Sequence, residues 1–299
     1  MLLMTLLMLL VCIGIPLAYA WRMVRLDEPT KAAWLLIVTE AAVFVALVLL
    51  VGRWDMAGYF TRYAISLLFI ASVLWSFRKH SGRPWSDPER PLFFTRWTTI
   101  ASCFLFGGVL AYIVYGMQPS SNARDLAFPL EGGRYIVAQG GGVSLLNRHA
   151  GHRKQRYAAD ITAIGPLGFR ATGLAPKKLQ HYEIYGASVV SPCDGMVIAS
   201  RDGLPDLIPP ESDPENAAGN HVIIDCGAFN VELAHLQSGS ITIASQSHIS
   251  VGDPIGKVGN SGNTTEPHLH VHVADPRAEV GIPMLFAGRA PIRNRLYVN

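Results

Sequence analysis

The sequence predicts a chain of two different parts: an α-helical membrane anchor of about four transmembrane helices over residues 1–117, and an all-β domain over 134–299, joined by a linker at 118–133. Three observations predict this division. Only 16% of the 299 residues are charged, well below the quarter usual for soluble domains. Apolar runs near the ~20 residues needed to cross a bilayer recur up to position 117 and then stop. Beyond the linker, Gly, Pro and β-branched residues return at short intervals, with no convincing amphipathic helix apart from a turn around Pro176–Gln180.

The apolar runs are 1–20, about 33–51, about 59–77 and about 98–117. Ala18 and Ala20 before Trp21 resemble a signal-peptidase site, but no Lys or Arg precedes the first run, so it reads as a retained helix. Cations set the orientation. The connector after the first span holds Arg22, Arg25 and Lys31, and the one after the third holds Arg78, Lys79, Arg83, Arg90 and Arg96. The connector after the second holds only Arg53 and Arg62. The positive-inside bias then puts the first and third connectors in the cytoplasm and both termini outside it. Glu40 is the one ionisable group well inside a span, which argues against a transport pathway.

Gln118–Gly133, with two prolines and a Ser-Ser-Asn run, reads as the segment leaving the membrane. In the domain that follows, strands are expected at Val189–Val190, Gly195–Ser200, His221–Cys226, Val231–Leu236, Ser240–Ala244 and Leu269–Val273. The segments starting at Gly186 and Ile249 share a rhythm of glycine, short apolar strand, turn and valine, which suits two related hairpin halves. The acidic, proline-rich excursion Asp202–Asn220 reads as a long loop. Cys193 and Cys226, the two cysteines outside the spans, are open to one disulfide or to two separate buried thiols.

The most informative stretch is 259–275, where a turn-rich run from Gly259 to Pro267 gives way to strict alternation. On a strand, His268, His270 and His272 take one face and Leu269, Val271 and Val273 the other. An apolar core gives three clustered imidazoles little reason to exist, whereas imidazole is a common zinc ligand and the usual proton carrier at neutral pH. His270 is therefore a candidate ligand, and His272 is the one a site can do without. Asp160 offers a carboxylate in Gln155-Arg-Tyr-Ala-Ala-Asp, His149 and His152 lie just upstream of it, and His235 sits on another alternating run. His181, His221 and His248 fit no role in such a site.

On these residues, from about Tyr135 to Asp275, the domain resembles the lysostaphin-like or LytM-like zinc metallopeptidases, which cleave peptide bonds in bacterial peptidoglycan. The most specific likeness is Gly-Asn-Ser-Gly-Asn followed by Pro-His-Leu-His. The resemblance implies a small antiparallel β sandwich or barrel-like fold and a Zn²⁺ cofactor. His270 and Asp160 would be metal ligands, and His235 and His268 catalytic residues that position water or stabilise the oxyanion. Family members usually carry a further ligand histidine four residues before the aspartate, and that position is Arg156 here, whose guanidinium stays protonated and cannot bind a metal. The chain is closer to a branch with Asn-x-His, a short insertion and Gln-Arg-Tyr-Ala-x-Asp, which makes His149 the expected third ligand and His152 the runner-up.

The expected partners are peptidoglycan peptides, the lipid bilayer and a regulatory protein. The expected place is the cytoplasmic (inner) membrane as a multi-pass protein, with the C-terminal domain on the periplasmic side. The main alternative is a catalytically inactive module of the same fold that binds cell wall or regulates a hydrolase, for which Arg156 is the best argument. A biotinyl or lipoyl carrier needs a lysine at an exposed hairpin tip, and Lys257 has no such setting. A net charge of +3, drawn largely from the membrane connectors, and the absence of a basic patch with interleaved aromatics exclude nucleic acid as the expected partner.

Overall fold

The computed structural model describes residues 2–89 and 91–299; Met1 of the first expected span and Arg90 of the third connector lie outside the described residues. The chain divides into two compact units, one over 3–115 and one over 116–299.

The first unit is helical. Three of its helices, Leu2–Arg25, Lys31–Val51 and Leu92–Gly116, are long and apolar enough to cross a membrane. The expectation was about four. The third expected span does form a helix, Thr61–His80, but it is uncharged only over 63–77, roughly 22 Å at 1.5 Å per residue, because Arg62, Arg78 and Lys79 fall inside it. Pro16 cannot donate to the preceding turn, and a π-turn over Leu10–Gly14 stands where the first helix would otherwise run regularly. Glu40 is paired with Arg22 at 3.1 Å. The buried His80 ring accepts from the Glu28 backbone N–H at 2.9 Å and faces the Ser76 carbonyl at 2.7 Å, so both its nitrogens are used.

The second unit is built on a nine-stranded sheet that is antiparallel throughout. At its centre runs Leu269–Asp275, flanked by Ala159–Ala163 on one side and Asn230–Leu236 on the other. The period-two expectation holds here: Leu269, Val271 and Val273 are 0%, 0% and 1% exposed and enter the main apolar cluster with Ile161, Val231 and Leu233. Each such burial contributes about 2 kcal/mol. The opposite face carries the histidines.

The strands expected near 189, 195–200, 221–226 and 231–236 all appear, with ends shifted by a few residues. The two look-alike segments meet directly, as Ser188–Val190 pairs antiparallel with Pro254–Lys257. Ser240–Ala244 is not a strand. The Asp202 carboxylate takes the N–H of Gly239 just before the segment and that of Ile241 within it, and the Thr242 N–H makes a single backbone bond, to the Ile255 carbonyl, which is short of a ladder. Part of the stretch expected as linker belongs to the domain, since Arg124–Leu126 pairs in parallel with Met284–Phe286 and Leu130 is wholly buried. Cys193 and Cys226 form a disulfide, with Cα atoms 6.1 Å apart.

Candidate metal centre

The sheet ladder sets the first two donors. Asp160 and His270 are direct cross-strand partners, so their side chains rise from the same face. His270 Nδ1 lies 2.9 Å from Asp160 Oδ1. The third donor comes from a loop. Asn147 caps a short 3₁₀ turn, Arg148–Gly151, by accepting from the His149 N–H at 3.0 Å. Its side-chain amide donates to the carbonyls of Gly141, Arg156 and Ala158, and Asn147 is fully buried. This one side chain ties the loop to the strand that holds Asp160, and it brings His149 Nε2 to 3.0 and 3.1 Å from the two carboxylate oxygens.

His149, Asp160 and His270 thus offer two nitrogens and a carboxylate oxygen within 4.8 Å of one another. Ligands about 2.0–2.2 Å from a tetrahedral ion lie roughly 3.3 Å apart, so the donor set fits zinc in both chemistry and spacing. His152 lies outside this set and is exposed. Arg156 is exposed too, its guanidinium 5.6 Å from the Tyr157 ring, and it takes no part in the centre.

Two further imidazoles border the donors. His268 Nε2 lies 3.7 Å from Asp160 Oδ1, and the rings of His235 and His268 are 4.8 Å apart. His235 Nδ1 faces the Ser261 carbonyl at 2.9 Å, and His268 Nδ1 faces the Glu266 carbonyl at 2.9 Å. A carbonyl only accepts, so in each ring Nδ1 carries the proton and Nε2 holds a lone pair. His235 has φ of 65°, an uncommon conformation for a residue other than glycine, held by its N–H to Ala218 O and its carbonyl to Gly259 N.

The charges are arranged accordingly. Burial would raise the Asp160 carboxyl, but His268, His149 and His270 outweigh it and hold it well below the usual range. Burial pulls His149 down, yet the hydrogen bond and charge of Asp160 leave it raised. Burial above all depresses His235, well below the histidine range, and also His268, so both are neutral at neutral pH. His272 is pushed down to about 2, by burial first and then by His270, Lys154 and His149.

Sequence reasoning missed two supports. Buried Arg170 donates from Nε and a terminal nitrogen to Glu266 Oε2 at 2.9 and 2.7 Å, fixing the segment whose carbonyl orients His268. Asn147 was visible only as the first residue of Asn-x-His. The Asp202–Asn220 loop is also tied down, since Asp206 accepts from the Asn260 N–H and from Tyr185.

Residues 180–281 match Peptidase family M23, a stretch that takes in His235, His268 and His270 and stops short of His149 and Asp160. Similar solved structures include a candidate M23 peptidase of Pseudomonas aeruginosa, 18% identical over 59% of this chain and 57% of that one, TM-score 0.32. A zinc-containing peptidase of Vibrio cholerae is 18% identical over 58% of this chain and 39% of that one, TM-score 0.26. The catalytic domain of lysostaphin from Staphylococcus simulans is 18% identical over 34% of this chain and 75% of that one, TM-score 0.22. The chain spans 57% and 39% of the length of the first two. No curated protein matches it. The part of the chain that is similar to Peptidase family M23 is thus residues 180–281, which follow a set of apolar N-terminal helices.

Proposed function

We propose that the C-terminal domain is a zinc metalloendopeptidase that hydrolyses peptide bonds in peptidoglycan, with zinc held by His149, Asp160 and His270. The observation that carries this reading is the convergence of those three donors beside two neutral histidines whose Nε2 lone pairs are unprotonated. Zinc bound there supplies a Lewis acid that polarises a carbonyl and lowers the pKa of water toward 7. His268 and His235 provide the proton traffic. Either Nε2 can take a proton from the attacking water, and the imidazolium so formed can donate to the developing oxyanion or to the leaving amine. His235 is fixed by Ser261 and by its own strained backbone, and His268 by the segment that Arg170 and Glu266 brace, so little reorganisation is needed as charge develops.

The anchor reading accompanies this. Three helices qualify as spans by length and composition. Thr61–His80 serves as a fourth: its 20 residues reach about 30 Å, with Arg62 at one end and Arg78 and Lys79 at the other able to extend to the interfaces. Four crossings keep the dense cation connectors in the cytoplasm and put the domain outside, where peptidoglycan lies. The Cys193–Cys226 disulfide supports the same side, because such bonds persist in oxidising compartments.

The test is to measure zinc content and release of soluble fragments from purified peptidoglycan by the full chain in detergent, with and without chelator. One zinc per chain, lost in His270→Ala and Asp160→Ala together with fragment release, is expected. A chain that binds no zinc would leave the inactive wall-binding or regulatory module.

A further inference from the structure

His272 belongs to neither the donor set nor the His235–His268 pair, yet it is 2% exposed and lies on the same strand face. Its Nδ1 is 3.2 Å from His270 Nε2. On its far side, Nε2 lies 3.7 Å from Oε2 of Glu232, its direct cross-strand partner. We propose that His272 and Glu232 are positioning residues for the metal centre: His272 accepts the Nε2 proton of His270 and so aims the Nδ1 lone pair of His270 at the ion, while Glu232 keeps the His272 proton on the opposite nitrogen. This inference rests on reading His149, Asp160 and His270 as the zinc site.

The argument is one of proton accounting. A neutral imidazole has one N–H, and a ring that binds a metal through Nδ1 must carry it on Nε2. Buried, that N–H needs an acceptor, and the atom facing it is His272 Nδ1. His272 can accept there only if its own proton sits on Nε2, and the Glu232 carboxylate faces that end. The line Glu232, His272, His270 is the usual carboxylate–histidine–metal support lengthened by one ring, and loss of such a partner typically lowers metal affinity 10–100-fold. Packing alone does not explain an imidazole here. The other face of the strand already supplies the core, and an aliphatic side chain would fill the same space without two polar nitrogens to satisfy.

The test uses the full chain in detergent, with zinc affinity read by competition with a chromophoric chelator and the visible spectrum of the Co²⁺-loaded protein as a second readout. His272→Leu keeps volume and removes the acceptor. His272→Asn keeps an oxygen near the position of Nδ1, and Glu232→Gln removes the charge alone. Expected results are a 10–100-fold loss of zinc affinity with an altered cobalt spectrum for the leucine variant, recovery of most of both in the asparagine variant, and a loss of up to about tenfold for Glu232→Gln. Equal losses in the leucine and asparagine variants, or wild-type affinity and spectrum in the leucine variant, would overturn the proposal. Should His272→Leu fail to fold, Glu232→Gln decides, and unchanged affinity and spectrum there overturn it. If instead His270→Ala binds zinc as tightly as the wild type, it is the metal site that fails.

Discussion

Nδ1 of His270 stands 2.9 Å from Oδ1 of Asp160 although 110 positions separate them, and the two face each other across one rung of an antiparallel ladder. Backbone pairing therefore places two of the three donors before any ion is considered. Only the third depends on a loop.

His268→Ala and His235→Ala should each lower the rate of peptidoglycan fragment release by about 10²–10⁴-fold while zinc content stays at the wild-type level. Both rings border the donors without belonging to them. Metal analysis alongside turnover checks this, and a variant that loses activity only in step with its zinc would contradict the assignment.

Zinc affinity should fall as the solution becomes mildly acidic. His149 is raised above its ordinary 6.5, so binding must displace a proton once pH drops below that raised value, at about tenfold in affinity per unit. Asp160 stays ionised far lower. In the metal-free chain the same pair stabilises the fold. The His149 contribution is full below 6.5 and lost as pH rises through the raised value, whereas that of Asp160 is present above about 3.9 and lost as pH falls through the depressed one. Chelator competition between about pH 5 and 8 measures the slope. A flat profile would remove His149 from the ligand set.

Replacing Cys193 and Cys226 together by alanine should destabilise the C-terminal domain by about 3–4 kcal/mol, the chain-entropy expectation for a bond across a sequence separation of 33. Thermal melts with and without reductant give the same comparison in the unmodified chain. A change below about 1 kcal/mol would show that the bond constrains little of the unfolded ensemble.

Cysteines introduced at Ser86 and Ser120 should react with a membrane-impermeant thiol reagent from opposite sides, Ser86 from the cytoplasm and Ser120 from outside. Labelling of Ser120 from the cytoplasm would mean that Thr61–His80 does not cross.

The central strand was legible because strict alternation has one structural meaning, and Leu269 and His270 went to opposite faces as their spacing required. His149 was reached through the resemblance, since nothing in its own neighbourhood separates it from His152; the structure separates them by what Asn147 holds. Arg170 and Glu266, 96 positions apart, look like ordinary solvated charges in the sequence, and it is their pairing across the fold that supports the burial of Arg170. Ser240–Ala244 misled because its composition suits a strand, while the side chain of Asp202, from a distant loop, claims the Ile241 amide within it. The helix Thr61–His80 lies between classes, with a span's length and a surface helix's ends.

Asn147 gathers three carbonyls with one amide, and the segment it secures contains Arg148, Arg153, Lys154 and Arg156. In a chain without an ion, the sheet would keep Asp160 and His270 in register while this basic segment relied on the His149–Asp160 hydrogen bonds and on its contacts with Ala278, Glu279 and Gly281. Trypsin would then find its first cut there, and protection from that cut would report occupancy without any substrate being turned over.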